Sequence, residues 1–422
     1  MQEEANEFYW KSVMSSVGSS DNSRRALGQN QTTYTVLSGS IPNVGIAIDL
    51  VQDPLSKEAF LSLLRAIESL GMTVIQMNLA NDLGHAVEYD SIPNVGYRPA
   101  SLDRKRSDEK SDFPYFDRHR LEEMVEVARK IGIQLIPEIN LVTTGGGWYK
   151  TGILMNCPQI VCDNGQGIAF DVVDKIDRVI PIVLAAILEL WNIFSLSSVD
   201  QLLHLGSDER EKVILGCFAE AGHDSSEAHS SLHNFERKLM EALSIAGIHS
   251  SKIIRWHNGE KIDYPDRTGN ITHYTDIGDI REKSENGSTP APYFGMVLLR
   301  DEMTLWDVYQ ESRRWIEHPP GLRAIIAKTV HGGIPRFDHL VAFTMGFGFV
   351  SESEKDFQKE FELVCTRLEC TKTTRPFYKT TAGIRSTIQE TTLKETCAER
   401  TINATQRKSR ALLVPDGSYR VN

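Results

Sequence analysis

The chain has 422 residues, 41% apolar and 24% charged, with 46 Lys and Arg against 57 Asp and Glu for a net charge of −11. That length suits one large barrel or two ordinary domains, and the balance is that of a globular chain. The acidic surplus argues against nucleic acid or an anionic membrane as the main partner, since both require a basic face, and no apolar run reaches the roughly 20 residues of a membrane span.

In chain order, "MQEEANEFYWKSV" lacks the charged-then-apolar pattern of a secretory signal, which leaves the compartment open. Residues 1–40 are rich in Ser, Asn and Gln and read as a poorly ordered lead-in. From there to about residue 370, short apolar runs alternate with helical patterns. The runs are Val44–Leu50, Met72–Leu79, Ile133–Ile139, Gln201–Gly206, Lys252–Trp256, Asn270–Tyr274, Phe294–Leu299 and Arg323–Lys328. They are nearly continuous in apolar residues, as strands covered on both faces must be. The first helix spacing opens at Ser56 and closes at Gly71, and the second runs from Asp117 to Gly132. Two more follow in "VVDKIDRVIPIVLAAILELW" and "SSLHNFERKLMEALSIAG". Strand–helix alternation of this extent predicts an α/β chain closed into a (β/α)8 TIM barrel over residues 41–370. The Thr- and Lys-rich remainder, residues 371–422, reads as a loose extension.

Six cysteines include Cys157 with Cys162, and Cys365 with Cys370 at the same spacing. No histidine lies at zinc-ligand spacing from either pair, so neither a metal nor a cofactor is called for. A Cys157–Cys162 disulfide and free thiols both fit. The acceptor triplets at Asn30, Asn270, Asn286 and Asn403 permit glycosylation.

A barrel places its working residues where strands end. Those ends carry Asp49, then Asn78 with Asn81 and Asp82, then Glu138 with Asn140, Asp208 with Glu209, Trp256 and Tyr274. Carboxylates, amides and aromatic rings around one mouth suit a sugar, whose hydroxyls need polar partners and whose C–H face stacks on rings. Adjacent acids suit glycoside cleavage: a carboxyl whose pKa is raised by burial or a like charge protonates the leaving oxygen. Its neighbour points the other way along the strand and reaches another part of the sugar. The bland alternative is a solvated acidic loop partnered by Arg210 and Lys212. His204 alone is more often a core histidine, and "TTGGGW" at Thr143–Trp148 reads as a mouth loop rather than a phosphate cradle.

The stretch "HLGSDE", His204 to Glu209, resembles the His-x-Gly-Gly-Asp-Glu signature of the beta-N-acetylhexosaminidases, the family 20 glycoside hydrolases. Further similar segments follow the family's order. They are "GIAIDL" with "MNLANDLG", "RLEEMVEVARKIGIQLIPEINLVTTGGGW", "IIRWHNGE" and "TLWDVYQ". The resemblance implies removal of terminal N-acetylhexosamine by substrate-assisted, retaining catalysis. It makes Glu209 the general acid and base and gives Asp208 the acetamido group to orient. His204, Trp256, Asp82, Asn78, Asn140, Tyr274 and Trp306 become substrate-binding candidates. The implied partner is an N-acetylhexosamine-containing glycan or glycoconjugate.

Val44 stands where the family has arginine, Asn78 for a histidine, Met77 for a tryptophan, Asn81 for an aspartate, Asn140 for an aspartate and Thr144 for a histidine. The family's Tyr-Leu-Asp and late Trp-x-Glu stretches have no counterpart. A second reading is therefore a weakly active or inactive relative that binds carbohydrate or serves as a scaffold.

Overall fold

The computed structural model describes residues 43–368, apart from 53–54, 82–83, 92–115, 142–159, 164–167, 173, 197–199, 207–218, 220–221, 223, 258–268, 281–291, 317–320 and 331–332. The predicted lead-in (1–40) and extension (371–422), together with Asp82, Cys157, Asp208 and Glu209, lie outside the described residues.

In chain order the elements begin with β1 (Asn43–Asp49), α1 (Lys57–Ser69), β2 (Val74–Asn81), β3 (Gly84–His85), α2 (Arg118–Lys130) and β4 (Gln134–Ile139). Next come β5 (Val161–Asp163), β6 (Ile168–Phe170), α3 (Ile176–Phe194), β7 (Leu203–His204), α4 (Ser225–Ile245) and β8 (Ile253–His257). The chain continues through β9 (Ile271–Tyr274), β10 (Tyr293–Leu299), α5 (Leu305–Arg314), β11 (Leu322–Thr329), α6 (Phe337–Gly348) and α7 (Glu354–Arg367). Eight parallel strands pair in the order β1, β2, β4, β7, β8, β9, β10, β11, and β11 returns to β1. The expected (β/α)8 barrel is therefore closed. Each of the eight apolar runs read from the sequence supplies one barrel strand. β3 adds antiparallel to the end of β2, and β5 pairs with β6 apart from the barrel.

Two apolar clusters explain why the strands read as continuously hydrophobic. Side chains alternate along a strand. Ile46, Ile48, Ile75, Leu135, Leu203, Ile253, Val297 and Ile325 join the helices in the outer core. Ala47, Val74, Ile136, Leu202, Ile254, Ile271, Phe294, Met296, Ala324 and Ile326 fill the barrel. At Gly45 a Cβ would lie 2.1 Å from the Val74 carbonyl oxygen, so only glycine lets β1 and β2 approach this closely.

The helices begin where short polar side chains satisfy free backbone N–H groups. Ser56 accepts from Ala59 N, and Asp117 from Arg120 N. Helix α4 opens at a capping box between Asp224 and Glu227, five residues before the predicted start at Ser230. Thr304 and Asp307 form a second box at α5. Helix α1 buries Phe60, Leu61, Leu63, Leu64 and Ile67, each large apolar side chain contributing about 1.5–3 kcal/mol when fully buried. Among the described residues no helix is long and apolar enough to cross a membrane. Cys365, in α7, is disulfide-bonded. Asn270 is 4% exposed at the entrance to β9, so its acceptor triplet is closed to a glycan in the folded chain.

One ion pair is sealed between the layers. Arg255 projects from β8 to Glu236 on α4, with Nη2 2.6 Å from Oε2, and both side chains are buried. Removing one member strands the other charge, at a cost of about 3–5 kcal/mol. Arg255→Ala is expected to lower unfolding free energy by that amount in urea titration. The double replacement Arg255→Met with Glu236→Leu recovers most of it. Equal losses in single and double variants would contradict the pairing.

Candidate active site

The strand ends form one row. Asp49 is in register with Asn78, Asn78 with Glu138, and Glu138 with His204, across β1, β2, β4 and β7. Alternation makes these side chains continue the inner face begun by Ala47, Val74, Ile136 and Leu202. All four are buried, so every polar atom among them needs a partner or a ligand.

Asp49 is tied down by four contacts. Its Oδ1 accepts from the N–H groups of Val51 and Gln52, each at 3.0 Å. Asn81 Nδ2 donates to Oδ1 at 3.1 Å and to Oδ2 at 2.9 Å. This explains an amide at position 81: an aspartate there would set two acceptors against each other. Burial pushes the Asp49 carboxyl up to about 6, against the opposing pull of the Gln52 N–H and the Lys328 charge. Glu138 is also engaged, accepting from Gln76 Nε2 at 2.7 Å and from Trp256 Nε1 at 2.9 Å. The indole of Trp256 thus reaches from β8 past β7 to β4. It lies 4.6 Å from the His204 ring centroid and stacks on His273 at 4.2 Å.

The two histidines form a directed chain. The Gly206 N–H donates to His204 Nδ1 at 3.0 Å, and a backbone amide can only donate. The proton of neutral His204 therefore sits on Nε2, which lies 3.2 Å from His273 Nδ1 and donates to it. That assigns the His273 proton to Nε2, which is buried with no partner among the described residues. Asn78 Oδ1 and Gln76 Oε1 are likewise unpartnered. Burial, reinforced by nearby positive charge, holds both histidines well below the usual imidazole range.

This has a consequence for stability. An unfolded histidine protonates near pH 6.5, whereas these two stay neutral when folded. Their contribution is complete above pH 6.5 and is lost as pH falls through it, at about 1.4 kcal/mol per pH unit for each group. His273→Phe keeps the ring stack and removes one titration. The stability of wild type minus that of His273→Phe should therefore fall by that slope below pH 6. A pH-independent difference in urea unfolding would refute the neutral assignment.

Lys328 completes the mouth. It ends the inner face of β11 after Ala324 and Ile326, and its ammonium lies 5.1 Å from the Trp256 ring centroid. Sequence alone assigns no role to Lys328, Gln76 or His273 and marks Glu138 only as a strand-end acid. Their signal was present: each is a polar residue inside an apolar strand run, on the inward parity.

Of the predicted substrate-binding residues, Asn78, His204 and Trp256 come together at the mouth. Asn140 follows β4, buried against Gly206: a Cβ on Gly206 would lie 1.6 Å from Asn140 Oδ1. Tyr274 does not join them. It follows inward His273, so alternation turns it to the outer core, beside His257 and Tyr293. Trp306 sits in α5, stacked on Tyr309 and packed on Phe357 of α7. Asp82, Asp208 and Glu209 fall outside the described residues. Beside the mouth, a cavity of about 660 Å³ is lined by Thr275, Asp276, Leu298, Arg300, Asp307 and Trp315, among others.

Fold and site define a (β/α)8 barrel with a buried polar mouth at the C-terminal ends of its strands, where enzymes of this fold work. The family model described as glycosyl hydrolase family 20, catalytic domain, matches residues 44–272, just over half of the chain. The protein belongs to that family. Among solved structures, the Flavobacterium johnsoniae chitobiase is similar at 15% identity and a TM-score of 0.56, over 80% of this chain and 52% of that one. A beta-N-acetylhexosaminidase from Bacteroides fragilis matches at 14% identity and 0.57, over 79% and 71%. An exo-beta-N-acetylglucosaminidase from Vibrio harveyi, solved with N-acetylglucosamine, matches at 12% and 0.56, over 81% and 60%. The chain thus spans about half the length of the chitobiase. No curated protein matches it.

Proposed function

We propose that the protein is a glycosidase that releases terminal N-acetylhexosamine from glycans by substrate-assisted, retaining catalysis. Glu209 acts as general acid and then base, and Asp208 holds the acetamido N–H. The acetamido carbonyl oxygen attacks the anomeric carbon as the glycosidic bond breaks, and Glu209 gives its proton to the departing oxygen. A water then opens the oxazolinium ring, with Glu209 taking the proton back.

The observation that carries this reading is the frame around Gly206. The Trp256 N–H donates to the Gly206 carbonyl at 3.1 Å, so β7 stays bound to the barrel wall up to that residue. Its φ of +63° and the contact with Asn140 disfavour any side chain there, which gives the motif's glycine a physical reason. The acid pair follows Gly206 by two and three residues in the sequence, so its segment begins at this frame. Asn78 Oδ1 and His273 Nε2–H supply an unpartnered acceptor and donor in the same mouth. His204 steadies the site through Gly206, and Trp256, fixed by Glu138, walls it. Asn140 sets the Gly206 turn, and Asp82 follows directly on Asn81 at the end of β2.

The test is turnover of 4-nitrophenyl N-acetyl-β-glucosaminide and its galacto epimer by the purified chain. Release of nitrophenol from either, abolished by N-acetylglucosamine thiazoline, is the expected result. The replacements at Val44, Met77 and Asn78 motivate the second reading, a carbohydrate-binding relative without turnover. Saturable binding of the thiazoline with no hydrolysis would favour it.

A further inference from the structure

We propose that Lys328 determines specificity by selecting an acidic sugar, one that carries a carboxylate or a sulfate. The inference builds on the sugar-binding mouth of the proposed function and adds a substrate class to it.

Lys328 is the one lysine or arginine on the inner face of the described barrel strands, and it lies at their C-terminal end. Among the described residues no ion pair involves it, although its charge acts on Asp49 at longer range. The nearby carboxylates hold other donors at hydrogen-bond distance. The Asp49 oxygens accept from Val51, Gln52 and Asn81, and those of Glu138 from Gln76 and Trp256. The neighbouring His204 and His273 are neutral, and the one free ring position, His273 Nε2–H, is a further donor rather than an acceptor. The ammonium lies over the face of Trp256, and Lys328 as a residue is partly buried. A neutral sugar offers it hydroxyls that water replaces at little cost. An anionic substituent offers a charge-assisted hydrogen bond that is screened less than in open solvent, because one side of the site is the buried Trp256 ring.

Calorimetric titration of the full chain tests this with three probes: N-acetylglucosamine, N-acetylglucosamine 6-sulfate and glucuronic acid. Wild type should bind the sulfated sugar, the uronic acid or both at least about tenfold more tightly than the neutral sugar, the usual scale of a hydrogen bond to a charged group. The ratio should fall near one in Lys328→Met and persist in Lys328→Arg. If the Met variant fails to fold, the wild-type ratio read against salt decides instead: it should shrink as ionic strength rises. A wild-type ratio near one for both acidic probes overturns the proposal, as does a ratio that Lys328→Met or salt leaves unchanged. Preference for an acidic probe without hydrolysis of any aryl glycoside would retain Lys328 while rejecting the glycosidase reading. Hydrolysis without that preference would do the reverse.

Discussion

Glu209→Gln should lower kcat/KM by about 10²–10⁴-fold on N-acetylglucosaminides with poor leaving groups, the usual worth of a positioned proton donor. Activated aryl substrates should suffer far less, because a nitrophenolate departs without protonation. Asp208→Asn should act differently. It weakens the hold on the forming oxazolinium, which every substrate requires, and should cost about 10²–10³-fold regardless of leaving group. The readout is the slope of log kcat/KM against leaving-group pKa. A steeper slope in Glu209→Gln and an unchanged slope in Asp208→Asn are expected. Parallel lines for wild type and Glu209→Gln would remove Glu209 from the role of acid.

Gly206→Ala should be the change outside the acid pair that lowers activity most. At φ +63° an L side chain meets its own backbone, at a cost of about 1–2 kcal/mol. The new Cβ also falls 1.6 Å from Asn140 Oδ1, so the Asn140 side chain must move or the turn must open. Either displacement shifts the start of the segment that carries Asp208 and Glu209, and an error near 1 Å costs about 10²-fold in rate. Adding Asn140→Ala removes the side-chain clash but not the strained dihedral. The double variant should therefore regain part of the lost stability in urea unfolding. Wild-type kcat and wild-type stability in Gly206→Ala would refute the tight-turn explanation of this glycine.

The barrel was legible because its strands are covered on both faces. Runs such as "VGIAIDL" and "RAIIAK" are nearly continuous in apolar residues, and the helices between them start where expected, at Ser56 and Asp117, whose side chains cap in the structure. Less legible were elements held by little local signal. β3, β5 and β6 are two or three residues long, and their pairing depends on where the chain returns. The apolar spacing of helix α4 begins near Ser230, which hides its true start. The polar turn from Asp224 to Glu227 had to be recognised as a capping box instead.

The site divides along the same line. Asn78 and Trp256 follow from strand ends, whereas His204 enters through the motif similarity alone. Tyr274 shows where that rule fails: being last in a strand does not say which face a residue takes, and parity with His273 turns it outward. Motif similarity points to Trp306, but the stacking on Tyr309 and packing on Phe357 that hold it are tertiary. Gln76, Glu138, His273 and Lys328 carried a signal in their polarity within apolar runs. Their pairing across the barrel depends on register, which short parallel strands do not reveal one at a time.

The most direct measurement is proton NMR of the sugar first released from 4-nitrophenyl N-acetyl-β-glucosaminide by the wild-type chain. Attack by the acetamido oxygen followed by water inverts the anomeric carbon twice, so the β-anomer should appear first and then mutarotate. The α-anomer appearing first, or no sugar released at all, would contradict a substrate-assisted mechanism directed by Asp208 and Glu209.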